Sequence, residues 1–129
     1  MVITEQHRIL VVEDEDRIAN LLHRQFATAG FNVQTAGSGS AALSYMEADA
    51  PDLVILDLGL PDINGYELCW KLRELYSRGR LPIVILTGVD QCTEDLQQQA
   101  PGADAYLRKP YDAAELVRTV RVLLNEYAG

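Results

Sequence analysis

Four short apolar runs constrain this chain more than any other feature: Ile9-Leu10-Val11-Val12, Leu53-Val54-Ile55-Leu56, Ile83-Val84-Ile85-Leu86 and the shorter Ala105-Tyr106-Leu107. None alternates apolar with polar residues, so none is patterned to lie with one face in water. Continuous runs of this length belong to strands covered on both faces, as in a parallel sheet sandwiched between helices. A weaker run around Val33 to Ala36 supplies a fifth strand.

The stretches between the runs carry helical spacing. Ile18, Leu21, Leu22, Phe26 and Ala29 fall on one face of a first helix, which Gly30 ends. Ala42, Leu43 and Met46 repeat the pattern more briefly, and Asn64 is placed to cap a third helix turning Leu68, Leu72 and Leu75 inward. Asp112 and Glu115 have capping-box spacing before a last helix with Leu116, Val120, Leu123 and Tyr127 on its face. Residues 92–100 offer only Leu96 and Ala100 as an apolar stripe, beside Gln97, Gln98 and Gln99, and Pro101-Gly102 ends the segment. A short, weakly docked fourth helix is expected there. With no repeat, linker or second compositional zone, the expectation is one domain over residues 1–129 (core about 8–126), an open α/β fold of five strands alternating with five helices.

Composition narrows the function. The 129 residues are 48% apolar, which excludes a disordered chain, and no apolar run approaches a membrane span. The start, MVITEQHRIL, lacks the basic flank and long apolar stretch of a secretory signal. Cys69 and Cys92 make no disulfide framework, so both are read as reduced in a cytoplasmic protein. Eleven Lys and Arg against 19 Asp and Glu give a net charge of -8, a poor match for a polyphosphate backbone. Direct nucleic-acid binding and membrane association are not expected of this chain.

In open α/β sheets ligands bind beyond the carboxyl ends of the strands. Glu13 and Asp14 follow the first strand, Asp57 ends the third, Thr87 the fourth, and Arg108, Lys109 and Pro110 follow the last. Three carboxylates, a hydroxyl and an ammonium thus converge on one edge. Clustered carboxylates repel unless a cation joins them, and all-oxygen ligation suits a hard divalent metal such as Mg²⁺. Lys109 and Thr87 would meet an anion, and a carboxylate can itself accept a phosphoryl group.

Taken together these segments resemble the receiver domain of response regulators in two-component phosphorelay signalling. Ile9-Leu10-Val11-Val12-Glu13-Asp14-Glu15 is similar to its opening, and the segment from Asp57-Leu58-Gly59-Leu60-Pro61 to Asn64-Gly65-Tyr66 to its phosphorylation loop. Leu86-Thr87-Gly88 and Gly102-Ala103-Asp104 through Lys109-Pro110 complete the match in order. The resemblance implies a doubly wound, flavodoxin-like sheet of order 2-1-3-4-5. It implies that Asp57 is the phospho-acceptor, served by a sensor histidine kinase or a histidine phosphotransfer protein. Glu13, Asp14, Asp57 and the Gly59 carbonyl would hold Mg²⁺ (or Mn²⁺), and Thr87 and Lys109 would contact the phosphoryl group. Thr87 and Tyr106 would form the switch that shifts the face of the fourth helix, last strand and last helix toward an output protein or domain. Lys109-Pro110 is a candidate cis peptide, and Gly59 and Val89 stand where the family tunes hydrolysis. Such a protein is not a turnover enzyme: it catalyses its own phosphorylation and, here, a slow autodephosphorylation.

Several positions depart from the family pattern. Glu13 replaces the more usual Asp, and its extra methylene is expected to move the carboxylate outward, with metal contact direct or through water. Gly88 stands where Ala is common. Ala105 and the Gln run replace acidic residues that often accompany a homodimer through the same face, which leaves dimerisation open. Taken singly, each site residue has a plainer reading: acidic residues favouring a helix N-terminus, a strand-end turn at Asp57, a surface lysine, a core tyrosine. Trp70 lies off its helix's apolar face and is read as half-exposed packing, and His7 and His23 lack metal-ligand spacing. A phosphohydrolase would want a carboxylate where Gly59 stands, and a flavin carrier a Ser/Thr/Gly loop where residues 13–16 are acidic. A degenerate receiver acting as a phosphate-independent interaction module stays open.

Overall fold

The computed structural model describes residues 7–76, 81–88, 102–109 and 112–128. In chain order the elements are β1 (Arg8–Val12), α1 (Asp16–Thr28), β2 (Asn32–Ala36), α2 (Gly39–Ala48), β3 (Leu53–Asp57), α3 (Gly65–Leu75), β4 (Ile83–Thr87), β5 (Ala105–Arg108) and α4 (Ala113–Ala128). Every strand pair is parallel, and the order is β2-β1-β3-β4-β5. Four helices stand among the described residues, against five expected. The short helix anticipated over residues 92–100 lies outside them, as do Val89, Cys92 and Pro110.

The apolar runs are continuous because the sheet has two dry faces. Ile9 and Val11 of β1 join Leu22 and Phe26 of α1 and Leu116, Val120, Leu123 and Leu124 of α4 in one core. Leu10 and Val12, the intervening residues, join Ala42 and Met46 of α2 and Leu68, Cys69 and Leu72 of α3 in the other. Strand side chains alternate between faces, so burying both demands apolar residues at consecutive positions. Each such Leu, Ile or Phe contributes about 1.5–3 kcal/mol when fully buried.

Two helix-face assignments are corrected. Leu21 and Leu75 are 47% and 61% exposed, and Ala19 and Cys69 occupy the inward positions instead. On α1 the buried stripe runs through Ala19, Leu22 and Phe26, and Leu21 sits roughly 130° off its centre at about 100° per residue. Other expectations hold. Gly30 adopts φ +100°, the left-handed conformation that ends a helix, and its N–H bonds the Ala27 carbonyl at 3.0 Å. Asn64 caps α3 by accepting from the Tyr66 N–H (2.8 Å), and Asp112 accepts from the Ala114 N–H (2.8 Å) ahead of α4. Trp70 is exposed, as its off-face position requires.

Arginines tie together the edge where the strands begin. Neither α1 nor α2 has a basic residue in its last turn. Arg121 of α4 instead donates to the Ala29 carbonyl at 3.0 Å while lying over the Phe31 ring. Arg8 donates to the Asp49 and Ala50 carbonyls and to the Asp49 carboxylate. Arg73 of α3 donates to the Leu81 and Gly102 carbonyls, both at 2.6 Å, and to the Asp104 carboxylate at 2.7 Å. That edge is held by charge-assisted bonds. The opposite edge carries the site.

Candidate functional site

Backbone bonds beyond the strand ends place the site side chains. Glu13 N–H donates to the Ala36 carbonyl at 2.9 Å, which carries the β1 alignment one residue past the strand and draws Glu13 inside. It is 3% exposed, so the longer side chain folds inward, correcting the outward placement expected of it. Asp14, the next residue, faces solvent. Asp57 is the last residue of β3, opposite Leu86 of β4. Lys109 N–H donates to the Thr87 carbonyl at 2.7 Å, which likewise extends the β4–β5 ladder and aims the ammonium at the carboxylates.

The Lys109 Nζ donates to Asp57 Oδ1 at 3.0 Å and lies 3.9 Å from Glu13 Oε1. Glu13, Asp14 and Asp57 each offer an oxygen within 4.8 Å of the others. One ammonium against three carboxylates leaves a negative pocket. Burial pushes the Glu13 carboxyl up to about 7, Asp57 repulsion adds to this, and the Glu15 N–H (3.3 Å) and Lys109 oppose it. Two buried polar atoms here have no hydrogen-bond partner: Glu13 Oε1 and the Thr87 hydroxyl, whose residue is 1% exposed. Orphaned acceptors are rare in folded proteins and point to a missing ligand. A divalent cation fits the carboxylate trio, and an anion held between that cation and Lys109 fits the Thr87 hydroxyl.

Three further sequence-derived residues lie among the described ones. Gly59 lies beside the acceptor: a Cβ on it would stand 3.6 Å from Asp57 Oδ2. Tyr106 is half-buried on β5, opposite Ile85 of β4 and packed on the α2–α3 side of the sheet. Gly88 is exposed directly after Thr87. Sequence reasoning missed Asp62, whose carboxylate reaches the α2 N-terminus, and the half-buried Arg73–Asp104 pair. The Asp preceding Ile63 was a signal only that the loop was polar, and nothing local named its partner.

The response regulator receiver domain profile matches residues 9–121. The chain belongs to that family. Over 118 residues it is 39% identical to the phosphate regulon transcriptional regulatory protein PhoB of Rhizobium meliloti, covering 92% of this chain and 52% of that protein. It is 36% identical to the DNA-binding dual master transcriptional regulator RpaA of Synechocystis over 92% of this chain and 49% of that protein. The chain thus spans about half the length of the curated relatives it matches. Among solved structures, the response regulator TrrA of Thermotoga maritima, in complex with Mg²⁺-BeF, superposes with a TM-score of 0.83. Its identity is 34%, covering 92% of this chain and 99% of that one. A CheY-like receiver domain protein from Methanospirillum hungatei gives a TM-score of 0.86 at 27% identity, covering 96% and 98%. Among the described residues no helix is long and apolar enough to cross a membrane.

Proposed function

We propose that this chain is a phospho-accepting signalling switch whose acceptor is Asp57. The observation that carries the reading is the Lys109 ammonium 3.0 Å from Asp57 Oδ1, where Asp57 is one of three carboxylates with oxygens within 4.8 Å of one another. A carboxylate oxygen of Asp57 attacks phosphorus of a phosphohistidine on a sensor kinase or phosphotransfer protein. A P–O bond forms, the P–N bond breaks, and the imidazole leaves with the electron pair. Lys109, already bonded to Asp57, pairs with a phosphoryl oxygen, while the Thr87 hydroxyl gains the partner it lacks. Glu13, Asp14, Asp57 and the Gly59 carbonyl would hold Mg²⁺ or Mn²⁺, which when bound neutralises charge on the transferring oxygens.

The new charge of about -1.5 to -2 requires donors. Thr87 moves toward it, Tyr106 takes the space released, and the face including β5 and α4 changes shape for an output protein or domain. The chain takes up phosphate and loses it slowly without being a turnover enzyme. Neither Gly59 nor Val89, the latter outside the described residues, offers a polar group to orient water. The buried free Cys69 and the family support a cytoplasmic setting.

Incubation with Mg²⁺ and a small phosphodonor, followed by intact mass, tests the reading. One phosphoryl group is expected on the wild-type chain and none on Asp57→Asn. Wild-type protein that gains no mass, yet still binds a partner, would favour the phosphate-independent module instead.

A further inference from the structure

The loop between β3 and α3, residues 58–64, carries Gly59, and glycine is the residue least able to fix its own backbone. This loop is held from outside. Asp62 Oδ1 accepts from the Gly39 N–H at 2.8 Å and Asp62 Oδ2 from the Ser40 N–H at 3.0 Å. Ile63 lies so close to Gly39 that a Cβ there would overlap its Cγ2. Ser38 Oγ takes the next N–H of α2, that of Ala41, at 3.1 Å. Of the four orphan donors at the start of α2, those of Gly39 and Ser40 are therefore satisfied from the phosphorylation loop. At its far end the loop closes on itself: Gly65 N–H donates to the Leu58 carbonyl at 3.3 Å, and a Cβ at Gly65 would meet Leu58 Cα at 2.6 Å.

We infer that Asp62 is a positioning residue for the divalent-metal site: by clasping the N-terminus of α2 it fixes the arc that presents Gly59 beside the Asp57 carboxylate. The inference rests on reading Glu13, Asp14, Asp57 and Gly59 as that site. Mg²⁺ demands near-octahedral ligands at about 2.0–2.1 Å, so a ligand on a wandering loop loses affinity. Groups that orient metal ligands without touching the metal typically change affinity about 10- to 100-fold when removed. A carboxylate at a helix N-terminus is favoured by the helix dipole, and the two N–H donors, Gly39 first, lower the Asp62 pKa. A further consequence is that α2, which carries none of the proposed ligands, becomes part of the support for the metal.

The test uses the full 129-residue chain as wild type, Asp62→Ala, Asp62→Asn and Gly39→Ala. In metal-free protein, amide exchange at Gly39 and Ser40 should be slow in wild type and at least about tenfold faster in Asp62→Ala. By calorimetry the Mg²⁺ dissociation constant should rise about tenfold in Asp62→Ala and less in Asp62→Asn, which keeps one accepting oxygen. Gly39→Ala, which displaces Ile63 from the opposite side, should weaken Mg²⁺ similarly. At saturating Mg²⁺ the phosphorylation rate of Asp62→Ala should return to the wild-type value. A variant with faster exchange or a lower melting temperature but unchanged Mg²⁺ affinity overturns the inference, as does wild type that binds no Mg²⁺. If wild type binds Mg²⁺ yet takes up no phosphoryl group, the phospho-acceptor reading fails, and the Mg²⁺ comparison still decides the clasp.

Discussion

Glu13→Gln isolates the electrostatic strain of the site. In the folded chain the Glu13 carboxyl is raised from 4.5 to about 7 by burial and by Asp57. A carboxyl raised on folding favours the native state fully below its unfolded pKa, where both states are protonated. Between the two values the native state holds the extra proton, so stability falls as pH rises toward 7 and levels off above it. The difference of about 2.5 pH units sets a ceiling of roughly 3 kcal/mol. Gln cannot ionise, and the raised Glu13 value already nets the Lys109 attraction against burial and Asp57; relaxation and water entry around the charge reduce the expected net gain above pH 7 to about 1–2 kcal/mol. That corresponds to roughly 4–8 °C in melting temperature for a domain of this size. Melts of wild type and Glu13→Gln in EDTA at pH 5, 6, 7 and 8 should diverge progressively, with Gln the more stable at pH 8 and the pair equal near pH 5. Adding Mg²⁺ at pH 8 should reverse the order, because only wild type keeps the full carboxylate trio. A Gln variant less stable than wild type at pH 8 in EDTA, or a gap independent of pH, would refute the reasoning.

Three further outcomes are expected. Gly59→Asn, for which a Cβ has room 3.6 Å from Asp57 Oδ2, should speed loss of the phosphoryl group by orienting water; a time course by intact mass in which it slows the loss counts against the role given to orientation. Hydrogen exchange with and without a phosphoryl mimic should change across residues 102–109 and the first turns of α4, and unaltered protection there would contradict the Thr87–Tyr106 switch. Arg73→Ala takes one partner from the half-buried Asp104 carboxylate, which keeps the Ile83 N–H at 2.8 Å, and removes the side-chain donor to the Leu81 and Gly102 carbonyls; it should cost about 1–3 kcal/mol in urea melts without abolishing Mg²⁺ binding.

The sheet and the site edge were legible because both depend on local pattern. Two-sided burial writes itself into consecutive apolar residues, and strand termini point to where Glu13, Asp57, Thr87 and Lys109 must lie. Helix faces were harder. Leu21 and Leu75 share the three-residue spacing of inward positions, and only packing on the sheet decides which rim of the stripe is covered. Glu13 was misplaced because one methylene says nothing about direction, whereas its backbone bond to Ala36 does. The Asp62 clasp and the Arg73–Asp104 pair join residues from separate crossovers, and no periodicity records such meetings.

The strand order divides the molecule along a seam. β2, β1 and β3 come from residues 8–57, and β4 and β5 are added beyond β3 on one side only. Glu13, Asp14 and Asp57 belong to the first part, Thr87 and Lys109 to the second. Before phosphorylation, the side chains bridging the seam at this edge include the Lys109 ion pairs with Asp57 and Glu13. A phosphoryl group bonded to Asp57 and gripped by Thr87 and Lys109 would act as a rivet through both parts. Because a ligand that favours the closed form suppresses opening, the outer two strands should breathe less often in the phosphorylated chain. The signal is then carried as much by how seldom the seam parts as by where any one side chain points.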